Sequence, residues 1–123
     1  MYDHVGLHVQ DIDASVRFYQ AILAPLGHVL CTRDASSAGF GPKDAPALWL
    51  YHDQSANPPV GMHVAFRANQ RGHVDEFHAA GLKAGGQDLG QPGVRKDYAS
   101  NYYAAFLTDP DGNNIEAVCM AFN

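Results

Sequence analysis

The chain has 123 residues, 46% of them hydrophobic and 17% charged. This is the size and composition of about one folded domain, and no disordered tail is evident. Eight basic against 13 acidic residues leave a net charge of -5, so no basic footprint for nucleic acid or an anionic membrane is expected. No apolar run approaches a transmembrane span, and the opening Met-Tyr-Asp-His lacks the basic-then-apolar pattern of a secretory signal. Cys31 and Cys119 are far apart and form no CxxC motif, which points to a reducing, cytoplasmic setting without a disulfide framework.

In chain order, His4 to Val9 alternates like a strand. Asp11 or Asp13 then caps a helix whose Val16, Tyr19, Ile22 and Leu23 form an apolar stripe ending before Pro25 and Gly27. Strand-like stretches follow at His28 to Arg33, near Gly39 and at Ala47 to His52, and Ser55-Ala56-Asn57-Pro58-Pro59 reads as a connector. The pattern then repeats. His63 to Ala68 echoes the first strand at an offset of 63 − 4 = 59, and Phe77 follows His63 at the spacing by which Phe18 follows His4. A shorter helix with Val74, Phe77 and Ala80 is closed by Gly81, and strands are predicted at Leu82 to Ala84, Tyr102 to Leu107 and Ile115 to Phe122. The expectation is an α+β fold of two βαβββ modules, about 1–57 and 58–123, forming a single domain in which a second module covers what the first leaves exposed.

One carboxylate is misplaced in this pattern. On an alternating strand Glu116 shares a face with Val118, Met120 and Phe122, and a carboxylate among apolar neighbours needs a cation or hydrogen-bond donors. His4 and His63 occupy equivalent positions of the two repeats, so pairing the modules brings both toward a shared sheet surface with Glu116. Two imidazoles and a carboxylate are a common set for a divalent ion, with coordination positions left open for water or substrate. Mn, Fe, Co, Ni and Zn all accept it.

Taken together, His4-Val5-Gly6-Leu7-His8-Val9-Gln10-Asp11 with Phe18-Tyr19, His63-Val64-Ala65-Phe66, and Asp109-Pro110-Asp111-Gly112-Asn113-Asn114-Ile115-Glu116 resemble the vicinal oxygen chelate superfamily of glyoxalase I, fosfomycin resistance proteins, extradiol dioxygenases and bleomycin resistance proteins. The resemblance spans nearly the whole chain. It implies paired βαβββ modules forming a cupped mixed sheet around a divalent metal ion held by His4, His63 and Glu116. It also implies a homodimer, with modules paired within a chain or exchanged between chains. The departures narrow the choice. The fourth ligand and proton carrier of glyoxalase I, a glutamate, falls on Trp49, and the acid-base tyrosine of the extradiol dioxygenases falls on Phe106. Fosfomycin resistance proteins are similar at Leu48-Trp49-Leu50 and loosely at Lys96 and Ser100, but their late arginine has no counterpart.

The expected function is therefore a divalent-metal-dependent lyase, isomerase or transferase acting on a small substrate with vicinal oxygens by Lewis acid catalysis. The alternatives are a non-catalytic sequestering protein of the bleomycin-resistance type and a fosfomycin-resistance-like transferase. Trp49, Tyr51, Arg67, Lys96 and Tyr103 are candidates for substrate binding, and His8 and Tyr103 for proton transfer. His28, His52, His73 and His78 are expected at the surface or at helix ends, and Asp109 to Gly112 is expected to be a turn and nothing more.

Overall fold

A computed structural model of the chain describes residues 1–54 and 61–123. The predicted connector and the predicted boundary between modules at residue 57 lie outside the described residues. The first module comprises β1 (Val5–Val9), α1 (Ile12–Leu23), a 3₁₀ turn (Ala24–Leu26), β2 (Val29–Arg33), β3 (Ser37–Gly41) and β4 (Leu48–His52). The second comprises β5 (His63–Arg67), α2 (Arg71–Lys83), β6 (Gln87–Val94), β7 (Tyr103–Thr108) and β8 (Asn114–Cys119).

Each module forms a four-stranded mixed sheet, ordered β1-β4-β3-β2 and β5-β8-β7-β6. The opening strand of each module pairs in parallel with its last strand. The helices lie between the sheets and pack on one another. Leu7, Val9, Phe40, Leu48 and Leu50 point into the helix side from the first sheet, and Leu107, Ile115 and Ala117 from the second. Strand alternation turns the other side chains of both sheets onto faces that no helix covers. The strands β1 and β5, which open just after His4 and at His63, are edge strands within the chain.

Asp11 is the cap of α1, its carboxylate accepting from the Ala14 amide at 3.0 Å. The apolar stripe of α1 is buried as expected, and Phe18 is buried as well. It approaches Gly86, where an added Cβ would come within 2.8 Å of its ring. A helix wedged between a sheet and a second helix needs apolar residues on two sides, which explains why its buried positions exceed one stripe.

Two boundaries differ from the sequence reading. Gly81 does not close α2, which continues through Leu82 to Lys83, so the strand expected at Leu82 to Ala84 is the end of a helix and β6 begins at Gln87. Packing accounts for this glycine. A Cβ at Gly81 would lie 2.1 Å from Leu107 Cδ1, so its absence lets α2 settle onto β7, and the chain turns instead at Gly85 with φ +100°. The last strand also stops at Cys119, leaving Met120 and Phe122 exposed beyond it. His78 is not at the surface: it is buried, with Nε2 2.9 Å from Asp88 Oδ1.

The turn at Asp109 does more than reverse the chain. Asp109 is buried and accepts from the Tyr19 hydroxyl at 2.5 Å, from the Asp111 and Asn113 amides and from the Asn113 side chain. Asp111 accepts from the Gln10 amide and the Ser15 hydroxyl. The loop before β8 is thus clamped onto α1 of the other module. No helix among the described residues is long and apolar enough to cross a membrane.

Candidate functional site

The helix-free face of the second sheet carries His63, Ala65 and Arg67 on β5, Asn114, Glu116 and Val118 on β8, and Ala104 and Phe106 on β7. Glu116 is 2% exposed although it lies on this open face, because neighbouring side chains close over it. His63 Nε2 lies 3.0 Å from Glu116 Oε1, and the Tyr102 hydroxyl donates to Oε2. The His63 ring stacks on Phe106 with centroids 6.3 Å apart. Tyr98 meets Tyr102 edge to face at 5.0 Å. Together with Asn114, these residues line an open pocket of about 450 Å³. Burial and the adjacent carboxylate push the Tyr102 hydroxyl up to about 12, so it remains a proton donor at neutral pH.

The hydrogen bonds define which nitrogen of each histidine is available. His63 Nδ1 is 3.1 Å from the Asn114 carbonyl oxygen, which can only accept, so Nδ1 carries the proton. In a neutral imidazole Nε2 then presents a lone pair to Glu116 Oε1, and two lone pairs 3.0 Å apart require a proton or a cation to reconcile them. His4 repeats the arrangement, its Nδ1 donating to Asp3 Oδ1 at 2.7 Å and leaving Nε2 free. Histidines that hold metals are oriented in this way by an acceptor on the second nitrogen. Beside His63, the buried Asn114 Oδ1 has no donor. The residues present therefore fit a divalent cation at His63 and Glu116.

Of the residues expected to act together, the chain brings His63 and Glu116 into contact, while His4 stands just before β1 and lines a separate pocket with Leu23 at the end of α1 and Val64 to Phe66 of β5. Among the described residues, no three His, Cys, Asp or Glu side chains come together as a metal site. Trp49 stands on the first sheet where Glu116 stands on the second: Gly6 registers with Trp49 and Ala65 with Glu116, and Gly6 and Ala65 share the repeat offset. Trp49 and Tyr51 stack there with ring planes 11° apart. Gly6 and Gly39 make room beneath them, since a Cβ at either would meet the Tyr51 or Trp49 ring at 3.0 Å or less. His8 flanks this shelf, 5.8 Å from the Tyr51 ring, with Nδ1 3.5 Å from Asp53 Oδ2.

Arg67 is exposed on the Glu116 face, and Lys96 is exposed in the turn after β6. Tyr103 lies on the opposite face, donating to Asp75 on α2 at 2.6 Å beneath the Arg71 guanidinium. Tyr102, which is not among the expected site residues, stands beside Glu116, whereas Tyr103, the expected candidate for substrate binding and proton transfer, faces α2. Parity carried the signal: Tyr102, Ala104 and Phe106 alternate onto one face, and Phe106 registers with Glu116.

Two four-stranded sheets with helices between them, each built βαβββ, define a protein of the vicinal oxygen chelate fold. The family model for the Glyoxalase/Bleomycin resistance protein/Dioxygenase superfamily matches residues 2–117, and the chain belongs to that superfamily. It is similar to a glyoxalase/bleomycin resistance protein from Albidiferax ferrireducens T118, with 31% identity and a TM-score of 0.84 over 97% of this chain and 98% of that one. The fold is shared with a glyoxalase/bleomycin resistance protein/dioxygenase family enzyme from Burkholderia phytofirmans PsJN, at 18% identity, TM-score 0.76 and coverage of 97% and 98%. It is also shared with a glyoxalase-related enzyme from Fulvimarina pelagi, at 20% identity, TM-score 0.75 and coverage of 97% and 87%. No curated protein matches the chain.

Proposed function

We propose that the protein is a homodimeric, divalent-metal-dependent enzyme whose site joins His63 and Glu116 of one chain with the partner subunit's His4. The observation that carries this reading is the approach of His63 Nε2 to Glu116 Oε1 at 3.0 Å while Nδ1 is committed to a carbonyl. When bound, the ion supplies Lewis acid stabilisation of charge on adjacent substrate oxygens. The chain's own residues do the remaining work. Glu116 is held by Tyr102, the Tyr98–Tyr102 pair and Phe106 wall the pocket, and the Trp49–Tyr51 shelf of a second copy supplies an apolar side. A compact substrate with vicinal oxygens and a flat or apolar flank suits this enclosure.

Protein purified without chelator or affinity-column nickel is expected to hold metal in proportion to its sites. His63→Ala and Glu116→Ala should each lower that content at least about tenfold while circular dichroism is unchanged. Wild-type metal content in both variants would place the site elsewhere.

Trp49 offers neither a ligand oxygen nor a base where the glyoxalase I pattern has a glutamate, and Tyr102 keeps its proton. Turnover of the glutathione hemithioacetal of methylglyoxal is accordingly expected to be negligible beside that of a dedicated enzyme. Efficient turnover, abolished by Glu116→Ala, would contradict this reading of Trp49.

The stacked Trp49–Tyr51 pair favours a second reading, a sequestering protein that holds a flat molecule without converting it. Binding of an aromatic ligand that Trp49→Ala abolishes and Glu116→Ala leaves intact would select it.

A further inference from the structure

We infer that Tyr102 is a positioning residue for the metal centre: by donating to Glu116 Oε2 it leaves Oε1 as the one carboxylate oxygen presented beside His63 Nε2. This rests on the metal-centre reading above. A carboxylate has two oxygens and about four lone-pair sites, and it binds a cation through one oxygen or both. Here the two oxygens have separate partners, His63 on Oε1 and the Tyr102 hydroxyl on Oε2.

The Tyr102 hydroxyl is aimed by a loop tied down at several points. The Arg95 amide donates to the Tyr102 carbonyl at 2.7 Å, the Tyr102 amide to the Ala99 carbonyl at 3.2 Å, and the Asn101 side chain to the Met120 carbonyl at 2.5 Å. The edge of Tyr98 packs against the ring. On the other side, Phe106 fills the register position next to Glu116 and is itself covered by the Arg95 guanidinium at 5.4 Å. Glu116 therefore has little room to turn, and one-oxygen coordination keeps a position open for substrate that two-oxygen coordination would occupy.

Cobalt(II) titrated into the chelator-treated full-length protein tests this through affinity and visible absorption. Tyr102→Phe keeps the ring and removes only the hydroxyl. It is expected to weaken cobalt binding about 10- to 100-fold and to change the shape and intensity of the visible bands, whereas Tyr103→Phe, on the far face of the sheet, leaves both at wild-type values. Infrared difference spectra of the unmodified protein give a second readout independent of any variant's folding. The wide splitting of the carboxylate stretches that marks one-oxygen coordination is expected on cobalt binding. Wild-type affinity and spectrum in Tyr102→Phe, or a narrow two-oxygen splitting in the unmodified protein, would overturn the role of Tyr102 and leave the metal centre standing. No cobalt uptake by the unmodified protein would reject the metal centre and this inference with it.

Discussion

Chains carrying His4→Ala and chains carrying Glu116→Ala, each unable to bind metal tightly, are expected to recover about a quarter of wild-type metal content when unfolded together and refolded in equal amounts. The arithmetic follows from exchange between twofold-related copies. Half of the dimers are mixed, and in each of these one site has both ligands intact while the other lacks both. The structure motivates exchange because the helices occupy the space between the two sheets and, among the described residues, His4 does not join His63 and Glu116 in a three-ligand group within the chain. Among the described residues, the edge strands β1 and β5 each pair with one strand only, and pairing or covering such edges is how sheets avoid uncontrolled association. If His4 joined Glu116 within one chain, every site in the mixture would lack one ligand and no metal would return. A monomeric mass at micromolar concentration would reject the dimer itself.

The fold was legible in the sequence because periodicity and repetition carry it. The 59-residue offset locates His4 and His63, Phe18 and Phe77, and the strand registers extend the same equivalence to Trp49 and Glu116. The errors lie where packing overrides local signals. Gly81 reads as a helix stop, yet it is a helix interior residue whose missing side chain admits Leu107. His78 reads as a surface histidine on a short amphipathic helix, yet Asp88 from β6 pairs with it in a buried position. The site was half legible. The burial of Glu116 was legible in its place on an alternating strand, and parity with Phe106 puts Tyr102 on the same face, but that the Tyr102 hydroxyl reaches Glu116 depends on the path of the loop before β7, which tertiary contacts set. Likewise, nothing in Asp109-Pro110-Asp111-Gly112 as a string distinguishes a free turn from one whose first carboxylate reaches α1 of the other module.

Asp109→Ala is expected to destabilise the fold strongly, by about 3–9 kcal/mol. Three buried donors, the Tyr19 hydroxyl and the backbone and side-chain amides of Asn113, lose their acceptor, at about 1–3 kcal/mol each. Tyr19→Phe removes one bond to a charged acceptor and leaves Asp109 its three other donors, so it should cost only about 1.5–3 kcal/mol. The exposed Arg33–Asp13 pair gives the scale for comparison: its removal should cost no more than about 1 kcal/mol despite the close contact. The clamp also predicts a direction with pH. Burial first, and the neighbouring Asp109 second, hold the Tyr19 hydroxyl well above its ordinary value of 10.0, so the unfolded chain releases this proton at lower pH than the folded protein does. The Tyr19 contribution is full below about pH 10 and is lost as pH rises beyond it. Urea midpoints measured from about pH 7 to about pH 11.5 should therefore be flat with respect to this group up to about pH 9.5 and then fall, and the fall should be shallower in Tyr19→Phe. An Asp109→Ala stability within about 1 kcal/mol of wild type at neutral pH, or an alkaline slope unchanged by Tyr19→Phe, would mean that the helix–helix contact alone holds the two modules together and that the Asp109 turn contributes no clamp.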